Sequence, residues 1–205
     1  SRKVQGFLTK NKDSLKNIGR TLHNAAQLGL RVDVLTTING YNANHLSKLA
    51  QWLVDEHPFI DHFVFNNLDP AEVLKRSRYY HSVIPCIEDF ELELYSTMQM
   101  LQGRGKTFRV ERVPLCYMAE FAHCSTETRR IVKKETNPLY FLDSRGLVFK
   151  KKLPYTKSVV CSFCMLNGIC AGLYQPAVCQ SPQILHPVFI PSDVVINRIV
   201  QDEQI

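Results

Sequence analysis

The chain has 205 residues, 45% of them hydrophobic and 21% charged, with a net charge of +6. This is an ordinary globular composition that can bury a sizeable core, in one large domain or one domain plus a small module. No apolar run reaches the length of a membrane span, and the basic residues are dispersed without the aromatic interleaving of a nucleic-acid groove, so neither a bilayer nor a nucleic acid is the expected partner.

The chain opens on "SRKVQGFLTKNKD", polar and basic, with no initiator Met and no secretory signal; this start reads as a tagged, processed or truncated piece. Residues 13–28 predict a helix, with Leu15, Ile18, Leu22 and Ala25 on one face, Asp13 or Ser14 as cap, and Gly29 at the left-handed stop. "LRVDVLTTI" alternates as a strand, and Asn39, Gly40 and Asn42 form a turn. Asn42 or Asn44 is the expected cap of a second helix, whose stripe is Leu46, Leu49, Ala50 and Leu53. "DHFVFNNLDP" is a second strand ending in Asn66 and Asn67. A loop follows from Pro70 to about Cys86. "EDFELELYSTMQMLQGRGK" is a third helix and "FRVERVPLC" a third strand.

Helix and strand alternate at crossover spacing, which predicts parallel strands with helices on one side. Three strands are few for a free-standing parallel sheet, so a second copy or a larger barrel is expected to complete it. After Pro114 the pattern changes. "STETRRIVKKE" predicts a short helix, and "PLYFLDSRGLVF" a β-hairpin turning at Asp143–Gly146. Lys150–Lys152 reads as a solvated strand end, and "PSDVVINRIVQDEQ" as an amphipathic helix. The boundary lies near residues 114–125, giving two units, 1–115 and 116–205.

Seven cysteines without a secretory signal point to metal ligation rather than disulfides, and to a reducing, cytoplasmic setting. "CSFCMLNGIC" places Cys161 and Cys164 in a C-x2-C pair and Cys170 six residues on, eased by Gly168 and Gly172. Zinc prefers two such pairs, and no partner C-x2-C or H-x3-5-H exists here. A [4Fe–4S] cluster accepts irregular spacing with one distant ligand. Iron–sulfur, zinc and plain buried thiols all remain open, in that order. Cys116 is the favoured fourth ligand, because it ends a strand where the pattern changes. Cys179 is next, then Cys124, while Cys86 in "VIPCIED" reads as a core thiol.

The order "LGLRVDVLTTINGYNANHL", "HFVFNNLDP", "FRVERVPLC", "CSFCMLNGICAGLY" resembles the C-terminal half of a radical S-adenosylmethionine enzyme with a twitch or SPASM-like extension. Over residues ~13–175, the resemblance implies an α/β fold: the second half of a partial (β/α)6 TIM-like barrel, then a small β-hairpin and cysteine-rich auxiliary-cluster module. It implies cofactor contacts at Thr37, Asn39, Asn66 and Asn67, with turn or cap chemistry as the ordinary alternative for each Asn. It implies an auxiliary [4Fe–4S] cluster on Cys116, Cys161, Cys164 and Cys170. The family's C-x3-C-x2-C motif and its glycine-rich segment do not occur in the sequence. S-adenosylmethionine and a second [4Fe–4S] cluster are therefore expected only in a longer protein, and this chain alone should be inactive. The full SPASM pattern places a further Cys where Tyr174 stands, which favours one auxiliary cluster over two. The implied function is radical-based hydrogen abstraction from an unidentified peptide or small molecule, with flavodoxin or ferredoxin as electron donor. The alternative is a zinc-stabilised or iron–sulfur module with no catalytic role.

Overall fold

The computed structural model describes residues 2–70, 80–135, 138–140, 142–143, 146–149, 154–174 and 180–202. A helix not read from the sequence, α1 (Arg2–Thr9), leads and packs on α2 (Ser14–Gln27). Leu22 and Ala25 are the buried members of the α2 stripe. Gly29 follows with φ +62°, the left-handed position that glycine takes at no Cβ cost. Asp13 stands at the N-cap, but its side chain makes no capping bond.

β1 (Asp33–Ile38), β2 (His62–Asn67) and β3 (Thr107–Glu111) form one parallel sheet in that order. The crossovers carry α3 (Leu46–Glu56) and α4 (Glu91–Gly103). The strand pleat sends alternate side chains to opposite faces. Phe63, Phe65, Phe108 and Val110 turn to the helices and pack with Leu46, Leu94, Met98 and Leu101. Leu94 and Met98 are fully enclosed, so truncating either to Ala costs about 2–5 kcal/mol in lost transfer and cavity terms.

The other face of the sheet carries rows set by register. Leu35, Val64 and Arg109 make one row, and Thr37, Asn66 and Glu111 the next. Leu35 is 60% exposed, so no packed layer covers this face at β1.

Two local expectations fail for backbone reasons. The third strand was expected to run to Cys116, but it stops at Glu111 because Arg112 adopts φ +59° and turns the chain out of the ladder. Pro114, without an N–H, then leads into a 3-10 turn at Leu115–Tyr117. Neither Asn42 nor Asn44 caps α3: a 3-10 turn, Ala43–His45, intervenes. The Asn42 amide instead closes the preceding turn, accepting from the Asn39 N–H at 2.8 Å and donating to the Thr37 carbonyl at 2.9 Å.

Beyond Pro114, α5 (Thr126–Lys133) starts where the Ser125 hydroxyl accepts from the Thr128 N–H at 3.3 Å. β4 (Pro138–Tyr140) and β5 (Leu147–Phe149) form the expected antiparallel hairpin. β6 (Tyr155–Thr156) and β7 (Leu173–Tyr174) pair antiparallel and bracket the cysteine motif. α6 (Ser192–Gln201) buries Val195 and Ile199. Lys150–Lys152 and Cys179 lie outside the described residues.

Leu166, Leu173, Leu185 and Ile199 join the same hydrophobic cluster as Phe63 and Leu94. The core therefore runs without a break across residue 115. Cys86, expected as a core thiol, is only half-buried and is disulfide-bonded. That bond removes it from the pool of ligands and weakens the case for a reducing setting drawn from the cysteines. No helix among the described residues is long and apolar enough to cross a membrane.

His123 sits in the 3-10 segment Ala119–Cys124, and burial together with the Arg198 charge holds its imidazole below the ordinary range. The folded chain therefore binds this proton at lower pH than the unfolded chain does. Stability is present above the ordinary imidazole pKa of about 6.5 and is lost as pH falls below it. His62 is depressed likewise by burial. Thermal melting should drop between about pH 7 and pH 5, and His123→Gln should flatten that slope in part. An identical slope in the variant would contradict the assignment.

Candidate metal centre and strand-end site

Three chained turns set the cysteine spacing. The Ser158 carbonyl accepts from the Cys161 N–H, the Cys161 carbonyl from the Cys164 N–H, and the Cys164 carbonyl from the Asn167 N–H, at 3.1, 3.2 and 3.1 Å. Each turn spans three residues, so C-x2-C presents both thiols from successive turns. Leu166 and Ile169 anchor the segment in the core. The Lys157 ammonium clamps it by donating to the Asn167 carbonyl at 2.7 Å and the Asn167 side-chain oxygen at 2.9 Å.

Cys116, Cys161, Cys164 and Cys170 line one cavity, together with Leu115, Leu185, His186 and Gly172. All four are free thiols and half-buried. The Val188 backbone N–H donates to Cys164 Sγ at 3.3 Å.

Burial is the largest effect on Cys116 and pushes its thiol up to about 11, with Cys170 and Cys161 adding to the rise. Burial also raises Cys170, while Leu115, Gly172 and Lys157 oppose it. Cys116 and Cys170 therefore stay protonated at neutral pH until a metal displaces the proton.

Cys124 is apart from this group. It lies beside Arg109 and Asp202, with its thiol pushed up to about 11 by burial.

Among the described residues, no three His, Cys, Asp or Glu side chains stand close enough to share one metal ion. A tetrahedral zinc would draw its sulfurs to within ~3.8 Å of each other, from the ~2.3 Å Zn–S bond. The four thiols line one cavity, but no three of them meet that requirement. The void itself is about 20 Å³, room for about one water. That is less room than a [4Fe–4S] cluster occupies.

A second constellation occupies the C-terminal ends of the strands, where parallel α/β folds place their sites. Asn66 donates to Glu111 Oε2 at 2.8 Å, and the Arg112 guanidinium donates to Asn66 Oδ1 and, at 3.1 Å, to the Asn67 carbonyl. The Arg112 N–H donates to Glu127 Oε1 at 3.0 Å, and Tyr155 OH reaches the same oxygen at 2.8 Å. Arg112 lies 5.0 Å from the ring centre of Tyr174, whose OH donates to Asp69 at 2.7 Å. The Tyr155 and Tyr174 rings meet edge-on at 5.1 Å. Burial, with the Asp69 hydrogen bond, pushes Tyr174 up to about 12.

The four strand-end candidates separate. Thr37 and Asn66 share a row on the open face with Glu111. The Asn39 side chain is spent in its own turn, donating to the Thr37 carbonyl at 3.1 Å and accepting from the Tyr41 N–H at 3.0 Å. Asn67 is buried, and its Oδ1 has no partner among the described residues. Sequence reasoning missed Lys157, His186, Arg112, Glu127 and Tyr155. Only Arg109 and Glu111 left a signal, the strand alternation of "TFRVE".

The chain matches no family model, no curated protein and no solved structure.

Gly172 tests the architecture around the thiols. It has φ +99°, and a Cβ there would stand 2.4 Å from the Thr156 carbonyl oxygen. Gly172→Ala should cost about 1–3 kcal/mol, which lowers the melting temperature by roughly 3–10 °C. An unchanged melting point would show that β6 and β7 do not enclose the motif this closely.

Proposed function

We propose that this chain is a portion of a radical S-adenosylmethionine enzyme, with β1–β3 and their helices as part of a partial (β/α)6 barrel and the cysteine segment as an auxiliary-cluster module. The observation that carries this reading is the meeting of Cys116, Cys161, Cys164 and Cys170 at one cavity, with the Val188 amide on the Cys164 sulfur. Amide hydrogen bonds to sulfur are one of the levers by which a protein holds and tunes an iron–sulfur cluster.

When bound, an auxiliary [4Fe–4S] cluster would supply electron transfer or a substrate anchor, beside a 5′-deoxyadenosyl radical generated elsewhere in the enzyme for hydrogen abstraction. The chain's own residues do the positioning. Thr37, Asn66 and Glu111 present a hydroxyl, an amide and a carboxylate on one row, suited to the polar groups of a cofactor or substrate. Arg112 holds Asn66 in place and ties the row to Tyr174, two residues from Gly172 at the thiol cavity. The substrate is a peptide or small molecule, and a small reductant such as flavodoxin or ferredoxin is the electron donor.

Alanine substitution at each thiol tests the ligand set. After anaerobic reconstitution, Cys116→Ala, Cys161→Ala, Cys164→Ala and Cys170→Ala should each lose at least about half the iron and melt earlier, because metal binding and folding are coupled. Cys124→Ala should keep its iron. Full iron in Cys161→Ala and Cys164→Ala would remove the cysteine motif from the ligand set, and stoichiometric zinc in place of iron would leave a structural module. The chain incubated with S-adenosylmethionine and a reductant should release no 5′-deoxyadenosine, since it contains no C-x3-C-x2-C motif. Release of that product would contradict the assignment.

A further inference from the structure

A pocket of about 300 Å³ lies on the open face of the sheet, between β3 and α5. Its charged lining is Arg109 and Glu111 from β3, then Arg129, Arg130, Lys133 and Glu135 from α5 and the residues after it. Four cations therefore face two carboxylates.

The pairings leave positive charge over. Arg129 is held by Asp202 at 3.0 Å, and Lys133 stands 3.9 Å from Glu135. Glu111 accepts from Asn66. Arg109 and Arg130 form no ion pair with any described residue. Arg109 is half-buried on the strand, with Arg129 repelling it. Its guanidinium donates to the Phe108 carbonyl at 3.0 Å and Asp202 offsets its charge only in part, so an entering anion would supply the paired counter-charge that a half-buried cation favours.

We propose that this pocket binds an oxyanion, a carboxylate or phosphate group of the substrate, through the guanidinium groups of Arg109 and Arg130. Guanidinium matches such groups with two parallel hydrogen bonds. The volume is at the lower end for a small-molecule site. Two residues of strand separate Arg109 from Glu111, about 6.6 Å. A molecule anchored on Arg109 therefore reaches the row of Thr37, Asn66 and Glu111. Calling the ligand a substrate rests on the enzyme reading above; anion binding itself does not require a cluster.

Calorimetric titration of the chain with inorganic phosphate, and separately with citrate, tests this against chloride at matched ionic strength. At least one of the two should bind saturably, and whichever binds tighter identifies the oxyanion. Arg109→Gln and Arg130→Gln should each weaken binding by about tenfold or more. Arg104→Gln, at the end of α4, should not change it. Arg130 is on a surface helix, so its variant keeps the test valid even if Arg109→Gln fails to fold. No saturable binding beyond chloride, or full binding in both variants, overturns the proposal. The same titration on iron-free Cys161→Ala protein separates the two readings. Binding there with no iron in the parent chain leaves the pocket standing and removes the cluster; iron in the parent without phosphate or citrate binding removes the pocket alone.

Discussion

The meeting of three stretches of chain at one thiol cavity holds the cysteine-rich half together. Leu115 and Cys116, the segment from Cys161 to Gly172, and Leu185 with His186 all line it, and the Val188 N–H donates to Cys164 Sγ at 3.3 Å. The remaining contacts there serve that meeting. The Tyr117 hydroxyl donates to the Ile184 carbonyl at 2.8 Å, and the Met165 N–H to the Val188 carbonyl at 2.9 Å, which pins residues 184–188 over the thiols. Gly172 lets β7 pass close to β6, where any side chain would strike the Thr156 carbonyl. Burial favours the neutral thiol at Cys116 and Cys170.

Arg112 joins the two constellations. It takes a left-handed backbone conformation that a non-glycine residue adopts at a cost of about 1 kcal/mol or more. Its backbone N–H bond to Glu127, its side-chain bonds to Asn66 and Asn67, and its contact with Tyr174 offset that cost. Residues before 115 and after 154 consequently share both a polar network and a hydrophobic core.

Much of the sheet was legible because its signals are periodic and local. The stripe of Leu46, Ala50 and Leu53 and the alternation of Phe63 and Phe65 each report one buried face. The C-x2-C spacing and Gly29 were legible because one turn or one φ angle dictates them. What failed depended on tertiary context. Asn42 offers the same amide to a cap or to a turn, and only the position of Thr37 and Asn39 decides between them. No residue type marks Arg112 as left-handed, so the end of β3 was set too late. A lone Cys86 among apolar neighbours looks the same as a thiol or as half of a disulfide. Glu127, Tyr155 and Tyr174 meet across long stretches of sequence, and no spacing rule brings them together.

The most direct test is elemental: iron, acid-labile sulfide and zinc per chain after anaerobic reconstitution, with a visible spectrum alongside. About four irons and four sulfides, with broad visible absorbance, is the result expected of one [4Fe–4S] cluster on these thiols. One zinc and no colour, or no metal retained after repeated reconstitution, would contradict it.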